Sequence, residues 1–361
     1  MLSKITVSPA PHISQKLSTQ RVMLDVLIGL LPAVVAAVFY FRLRAALVMA
    51  ICVVSCMVSE WVCNVIRKKP NSLGDLSAVV TGLILAMSLP PQAPWWMCVI
   101  GSGFAIIIAK MLFGGLGANI FNPAMASRAF LAASFGALMT TWTVPATLGP
   151  VQYKGQETRV LAAIHAENCY ESSDEQVALT QATPLAWSKT AQKANNVAGT
   201  TQATPMIGEL EWMLKPAFYG SVGGCLGETS ALALLVGGVY LLVRRTITFH
   251  IPAAVLIAAA VFAGIFYLVN PDKYANPAFH LVSGGMLICA FFIATDPVTA
   301  PLSAKGMWIF GAGVGALIML IRLVGEYPEG VMYAILIMNA VTPLIDRACK
   351  LVPAGGKPHV Q

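Results

Sequence analysis

The sequence predicts an all-α polytopic membrane protein of about ten transmembrane helices, arranged as two inverted five-helix repeats with one polar extramembrane segment. Of its 361 residues, 57% are hydrophobic and only 11% are charged, whereas about a quarter of the residues in an average soluble domain are charged. The apolar residues fall into separate runs, and one long polar segment divides these runs into two groups. The net charge of +7 comes from basic residues at the ends of apolar runs, so no nucleic-acid partner is indicated.

The first repeat is predicted over residues 22–140, after a cytoplasmic segment 1–21. A helix needs about 20 mainly apolar residues to cross a bilayer, and this rule gives spans near 22–41, 45–66, 77–90, 95–113 and 121–139. The third run is short and ends in Pro90-Pro91, so we expect a broken or re-entrant helix there. No small-residue cleavage site closes the first run, so that span is expected to stay in the mature chain.

The second repeat is predicted over residues 218–347, between an external loop at 141–217 and a cytoplasmic tail at 348–361. Its apolar runs lie near 219–243, 250–269, 279–295, 307–324 and 329–347. Five crossings in each half make the second half inverted relative to the first. The proline-broken stretches Leu83–Pro94 and Leu287–Pro301 lie in corresponding places, which favours a binding site near the midplane. Simple kinking of packed helices is the alternative.

The distribution of Lys and Arg predicts the orientation. The short loops opposite the N-terminus hold only Arg42, Arg44, Lys273 and Arg322, and the other side holds most of the remaining basic residues. Because cytoplasmic loops carry the excess of Lys and Arg, both termini are predicted in the cytoplasm of a multi-pass cell (inner) membrane protein. The polar loop then lies on the outer face.

Acidic residues within the apolar runs are costly in hydrocarbon and therefore are candidates for an ion pathway. We select Asp296, Glu228, Glu60 and Asp25. Asp296 stands out because it lies in Thr295-Asp296-Pro297 beside several hydroxyls, where it would bind or relay a proton or a sodium ion; a helix-capping aspartate at the membrane edge is the alternative. Arg128 needs a neutralising partner, for which Asn119, Asn122 or an acid from another helix are candidates.

The polar loop contains the hexapeptide Thr180-Gln-Ala-Thr-Pro-Leu185. Pro184 prevents regular pairing at its own nitrogen and biases Thr183 toward an extended backbone, which leaves the threonine hydroxyl accessible to an esterifying enzyme. A Thr/Pro turn in a surface loop is the alternative. A similar stretch, Thr201-Gln-Ala-Thr-Pro-Met206, follows 21 positions later, so Thr204 is a second candidate acceptor.

This hexapeptide and its apolar frame resemble the D subunits of the Rnf ferredoxin:NAD oxidoreductases, which are related to the B subunit of the sodium-pumping NADH:quinone oxidoreductase. The resemblance covers nearly the whole chain and includes four further motifs: Ser88–Trp96, Gly115–Met125, Gly227–Ser230 and Ala294–Ala300. In that family the last threonine of the hexapeptide carries FMN through a phosphoester. The resemblance therefore implies an FMN phosphoryl threonine at Thr183, with Thr204 as the alternative.

The resemblance also implies a function. The chain would be an electron-transfer subunit, not catalytic alone, of a translocase that couples ferredoxin:NAD electron transfer to H⁺ or Na⁺ movement. Implied partners are other membrane and peripheral subunits, a second flavoprotein subunit, iron–sulfur and NAD-binding subunits, and a flavin transferase. A second, non-covalent flavin such as riboflavin is a further expectation. The alternatives are a non-redox channel or secondary transporter with inverted repeats, or a scaffold subunit of a membrane complex.

No metal site is predicted, because the eight cysteines show no repeated metal-ligand spacing. Two glycine clusters, at 114–117 and at 311–315, are not preceded by a strand, so they do not indicate a nucleotide-binding loop. We expect both clusters to serve close packing of helices.

Overall fold

A computed structural model of the chain describes residues 18–141, 152–153, 156–157, 185–186, 188–189, 214–220, 222–271, 273–325, 327 and 329–350. These residues are predominantly helical, as predicted. A short antiparallel hairpin pairs Gln152–Tyr153 with Gln156–Glu157 in the polar loop. The two candidate acceptors, Thr183 and Thr204, lie outside the described residues.

The described part of the first half contains five α-helices. They are α1 (Thr19–Ile66), α2 (Ser77–Met87), α3 (Trp95–Gly103, continued by a π-helix at Phe104–Met111), α4 (Pro123–Ser134) and α5 (Gly136–Met139). Helix α1 breaks at Arg42, whose φ of 57° and ψ of −141° are not helical. The break separates residues 19–41 from 43–66, which agrees with the two predicted runs.

The described part of the second half contains seven α-helices. They are α6 (Leu214–Tyr219), α7 (Ala231–Val243), α8 (His250–Val269), α9 (Pro277–Val282), α10 (Met286–Ile288, continued by a π-helix at Cys289–Ile293), α11 (Ala304–Leu323) and α12 (Val331–Ala348).

Two predicted spans of this half are wrong in extent. The predicted helix 219–243 begins only at Ala231, because a turn at Gly220 and a 3-10 turn at Leu226–Glu228 precede it. The predicted helix 279–295 is interrupted at Ser283–Gly285, where Gly284 has a φ of +69° that a helix cannot contain.

Of the helices in the described residues, four are long and apolar enough to cross a membrane by length and composition: α1, α8, α11 and α12. Helices α2, α7 and the continuous segment Trp95–Met111 are apolar but shorter. Large apolar side chains such as Leu43, Val243 and Leu268 are exposed on these helices, as expected where a helix faces lipid. The chain is therefore a helical membrane protein.

Glycines allow the closest approaches between helices. Helices α1 and α7 cross at Gly29 and Gly237, where a Cβ built on Gly237 would lie 1.9 Å from the Gly29 carbonyl oxygen. Helices α8 and α11 cross at Gly311 and Gly315, which confirms the packing role predicted for that cluster. For Gly114, Gly115 and Gly117 the prediction is wrong, because these residues have positive φ and form the turn after the π-helix.

The non-helical segments of the two halves meet between the helices. The backbone N–H of Leu226 donates to the Leu89 carbonyl oxygen at 3.1 Å, and a Cβ on Gly227 would lie 2.8 Å from the Met87 carbonyl oxygen. Both segments are buried. This contact brings Glu228, which follows Gly227, into the interface between the halves.

Candidate functional site

Arg128, Glu228 and Glu329 form a charged cluster between the two halves. The Arg128 guanidinium on α4 contacts the Glu329 carboxylate, lies 3.7 Å from Glu228 Oε1, and donates to the Cys225 sulfur at 3.4 Å. Ligand atoms of Cys225, Glu228 and Glu329 lie within 4.8 Å of one another, a spacing that a metal ion also requires. The guanidinium already contacts all three, so Arg128 supplies the positive charge of this cluster.

Local structure holds both ends of the Arg128–Glu329 pair. On α4 the Ser127 hydroxyl donates to the Gly101 carbonyl oxygen of α3 at 2.7 Å, which fixes the face that carries Arg128. Glu329 lies in the loop between α11 and α12, and its other oxygen accepts from the Gly285 N–H at 2.8 Å. Burial acts to raise the pKa of the Glu329 carboxyl, but Arg128, a hydrogen bond with Glu228, Arg322 and the Gly285 N–H together hold the pKa below its ordinary value.

These contacts decide between the partners proposed for Arg128. The neutralising groups are the acids Glu228 and Glu329, so an acidic partner is confirmed, but Glu228 lies in a 3-10 turn and Glu329 in a loop and not on another α-helix. Asn119 and Asn122 make other contacts: Asn119 donates to the Phe121 carbonyl oxygen, and Asn122 caps α4 by accepting from Ala124 and Met125.

Arg322, near the end of α11, is a second buried guanidinium in this region, with 2% of its surface exposed. Its Nη1 donates to the His280 carbonyl oxygen at 2.8 Å and its Nη2 to the Ser283 carbonyl oxygen at 3.2 Å. Among the residues that the structure describes, its Nε has no hydrogen-bond partner, and neither ring nitrogen of the buried His280 has one. Arg322 forms no ion pair with the carboxylates of the described residues.

The chain just after Thr183 lies against this same region. Leu185 is buried, and a Cβ built on Gly284 would lie 2.5 Å from Leu185 Cδ1 and 2.7 Å from Arg322 Nη2. The Lys189 ammonium group donates to the Gly325 carbonyl oxygen, and the Ser188 hydroxyl to the Leu185 carbonyl oxygen at 2.9 Å. The segment that follows the predicted acceptor is thus attached to the α9–α10 break and to the end of α11.

Asp296 lies at a separate cavity between the halves. Its carboxylate accepts from the Val298 N–H at 3.2 Å and the Thr299 hydroxyl at 3.1 Å, and the Asn122 amide approaches at 3.5 Å. The Asp296 carboxylate thus accepts hydrogen bonds from the turn that follows it, as the capping alternative predicts, and it also lines the cavity. No cationic side chain of the described residues forms an ion pair with it.

An adjoining cavity of about 300 Å³ shares Asn119, Pro297 and Val298 with the Asp296 cavity. Its other polar lining residues are Thr299, Asn339, Thr342 and Asp346. Within the described part of the chain, the Asn339 amide has no hydrogen-bond partner at either atom, and the Asn119 amide oxygen also has none. Unpartnered buried amides are costly, so this cavity is suited to a polar ligand.

The other two predicted ion-pathway residues have basic partners. Glu60 is 1% exposed and accepts from the Lys110 ammonium group at 2.8 Å and from the Ser72 hydroxyl at 2.5 Å. Asp25 is also buried and accepts from Thr246 at 3.0 Å and from Arg244 at 3.4 Å. Both carboxylates therefore neutralise a basic side chain.

Sequence reasoning missed four residues of these sites. Lys110 and Arg322 lie near the ends of the predicted spans 95–113 and 307–324, a position typical of basic residues that extend to the membrane surface, yet each is 2% exposed. Glu329 opens the last predicted run and therefore resembles a solvated residue, and His280 is an isolated histidine near a span end. Only the Gly284-Gly285 pair signals a break beside His280 in the sequence.

Comparison with known proteins covers nearly the full length. Residues 6–355 match the family described as NQR2, RnfD, RnfE. The chain is 43% identical over 347 residues to the D subunit of the Na⁺-translocating ferredoxin:NAD⁺ oxidoreductase complex of Acetobacterium woodii, a match that covers 96% of this chain and 94% of the relative. It is 39% identical over 353 residues to the D subunit of the ion-translocating oxidoreductase complex of Cronobacter sakazakii, covering 96% and 97%. The corresponding protein of Stutzerimonas stutzeri is 39% identical over 352 residues, covering 95% of each chain.

Proposed function

The chain belongs to the NQR2, RnfD, RnfE family, and from this membership we propose that it is the D-type subunit of a membrane complex that couples ferredoxin:NAD electron transfer to the movement of H⁺ or Na⁺. It carries FMN covalently on Thr183 and is not catalytic alone. The names of its relatives, which describe D subunits of ion-translocating oxidoreductase complexes, support the assignment. The main observation that supports the proposed flavin attachment is the presence of the Thr180–Leu185 motif in a chain of this family.

The role of this chain toward the flavin is to hold it. The flavin supplies the electron chemistry, while a phosphoester to Thr183 would keep it from diffusing away from its electron partners. The residues that follow Thr183 contact the helical part of the protein, which supports a fixed position for the flavin. Leu185 is buried near Arg322, and Lys189 donates to the Gly325 carbonyl oxygen. The Thr201–Met206 stretch lies outside the described residues.

The attachment site is tested by changing each threonine separately. We expect Thr183→Val to abolish the ultraviolet fluorescence of the denatured subunit, because the acceptor hydroxyl is removed, and Thr204→Val to leave it unchanged. In-gel fluorescence and mass spectrometry of peptides from the intact complex measure the outcome.

A dark wild-type band from cells that contain the flavin transferase would reject the flavoprotein assignment and favour a channel, a secondary transporter or a scaffold subunit. Loss of fluorescence only in Thr204→Val would move the attachment site to the second motif.

The finer architecture is part of the proposal. The chain crosses the cell (inner) membrane about ten times as two inverted repeats, with both termini cytoplasmic and the flavin loop on the outer face. The break in α1 at Arg42, which divides one long helix into two apolar segments, supports the count. The likeness of Asn122-Pro123 at the start of α4 and Asn276-Pro277 at the start of α9, each an asparagine cap followed by proline, supports internal repetition.

Among the four ion-pathway candidates, Asp296 is the one we favour. Glu60 and Asp25 neutralise Lys110 and Arg244, and Glu228 lies near Arg128. Asp296 instead lines a cavity and forms no ion pair with a cation of the described residues, because Lys110, which lines the same cavity, is paired with Glu60. A carboxylate that faces a cavity and is not neutralised by a neighbour can exchange a proton or a sodium ion.

The adjoining cavity between the halves supports a second, non-covalent flavin such as riboflavin. Its unpartnered amides, Asn119 and Asn339, would hydrogen-bond the polar edge of a ring system, and apolar residues such as Ile120 and Leu302 would contact its faces. The proposed partners are the other membrane and peripheral subunits of the complex, including a second flavoprotein and iron–sulfur and NAD-binding subunits, with the flavin transferase acting during maturation.

A further inference from the structure

Two buried cations lie in corresponding places in the two halves. Lys110 lies near the end of the helix that follows the proline-broken segment of the first half, and Arg322 near the end of the helix that follows that of the second half. Each contacts the helical segment before its break: Lys110 donates to the Ser77 hydroxyl at 2.6 Å, and Arg322 to the His280 and Ser283 carbonyl oxygens.

The two cations differ in how their charge is neutralised. Lys110 has the Glu60 carboxylate at 2.8 Å. Among the described residues, Arg322 donates hydrogen bonds only to carbonyl oxygens, and its Nε has no partner. The Glu329 and Glu228 carboxylates act on its charge from a longer distance, without a direct ion pair. The acidic residue on the adjoining loop, Glu329, is already bound by Arg128 and the Gly285 N–H. A buried guanidinium with an unpartnered donor is costly, so this position favours an added anion.

The described residues that follow Thr183 in the chain lie at this position. Leu185 and Arg322 approach each other over Gly284, where a single methyl group would contact both. Thr183 is two residues before Leu185, so the two Cα atoms are within about 7 Å of each other. Thr204 is much further from Leu185 along the chain, so chain connectivity does not restrict its distance from Leu185 in this way.

We infer that Arg322, together with His280, forms an anion site that binds the phosphodiester linking the flavin to Thr183. This inference rests on the proposed function. A phosphodiester carries one negative charge and two free oxygens, which match the unpartnered Nε of Arg322 and one N–H donor of a neutral His280 imidazole. Arg322 is thereby a positioning residue: it fixes the point from which the flavin extends and takes no part in electron transfer.

The test compares the intact complex prepared with and without the flavin transferase. For wild type we expect flavin attachment to raise the midpoint temperature of thermal unfolding of this subunit, because the anion neutralises Arg322. In Arg322→Gln this flavin-dependent rise is lost, whereas Arg322→Lys, which keeps the charge, retains most of it. Arg244→Gln, which removes a guanidinium paired with Asp25, serves as the matched control and keeps the wild-type rise.

An equal flavin-dependent rise in wild type and Arg322→Gln would overturn the anion site while leaving the proposed function intact. An unmodified Thr183 peptide in the wild-type complex would overturn both. Addition of inorganic phosphate to the transferase-free complex separates the two sources of the anion: a rise matching that of attachment would assign the site to free phosphate and reject the phosphodiester.

If Arg322→Gln does not accumulate, phosphorus NMR of wild type and Arg322→Lys decides the question. The inference expects the phosphodiester resonance to shift between them, because the donor geometry at the phosphate changes from a planar guanidinium to an ammonium. Coincident resonances would overturn it.

Discussion

Lys110 and Arg322 are the largest side chains that the described part of the protein buries almost completely. A charge in such a place is stable only when a partner of opposite charge or good acceptors replace the lost water. The protein uses the first solution for Lys110, with Glu60, and backbone carbonyl oxygens for Arg322. Of the two, only Lys110 therefore has a directly bonded carboxylate among the described residues.

At the residue scale we predict that Glu60→Gln destabilises the protein by about 3–5 kcal/mol, because it leaves the Lys110 charge buried without its carboxylate. The free energy of unfolding in detergent, measured by denaturant titration, checks this. The double variant Glu60→Gln/Lys110→Met serves as the control and costs less than Glu60→Gln alone, since no uncompensated charge remains. Equal stability of Glu60→Gln and wild type would show that the pair is not coupled.

The helices themselves were largely predictable, because runs of apolar residues long enough to span a bilayer leave few alternatives. The runs at 22–41 and 45–66 correspond to the two parts of α1, and the run at 250–269 corresponds to α8. The breaks were less predictable. The predicted span 219–243 includes Gly220, Gly223, Gly224 and Gly227. The described residues there form a turn and a 3-10 segment, which contacts the broken segment of the other half. Hydropathy carries no information about that contact.

At the element scale, two helices, α4 and α9, each begin with an asparagine cap followed by proline. Asn122 accepts from Ala124 and Met125, and Asn276 accepts from Ala278, which satisfies backbone N–H groups that have no partner inside the helix. We predict that Asn122→Ala costs about 1 kcal/mol of stability, and that Asn122→Ser, which keeps an acceptor, restores most of it. Thermal unfolding of the purified complex measures both.

The matched variant for this prediction is Asn276→Ala, which removes a cap in the second half without a contact to Asp296. A larger loss for Asn122→Ala than for Asn276→Ala would report the additional contact between Asn122 and Asp296 at 3.5 Å. If Asn122→Ala and Asn122→Ser were equally stable, the cap would not be the source of the effect.

At the scale of the whole molecule, the two halves are held together by different kinds of contact along their interface. Helices α1 and α7 approach through glycine, the broken segments pair through backbone, and the Arg128–Glu228–Glu329 cluster joins α4 to the second half through charge. The sequence indicated Glu228 and Arg128 but not that they meet, because residues 128, 228 and 329 are far apart in the chain. Glu329 in particular looks like a solvated residue ahead of an apolar run.

The glycine contact gives the sharpest test of how the halves fit. We predict that Gly237→Ala destabilises the protein by about 1–3 kcal/mol, because its new Cβ would lie 1.9 Å from the Gly29 carbonyl oxygen and would force α1 and α7 apart. Gly264→Ala in α8 is the matched control: its Cβ meets nothing closer than 3.9 Å, so the better helix former should leave stability unchanged or raise it by up to about 1 kcal/mol.

Thermal unfolding of the two variants, measured in the same lipid, separates these effects. Equal and small changes for both glycines would mean that the α1–α7 crossing can widen at little cost. The opposite signs predicted here require a rigid crossing. In that case α1 cannot shift relative to α7 without breaking the contact between Gly29 and Gly237.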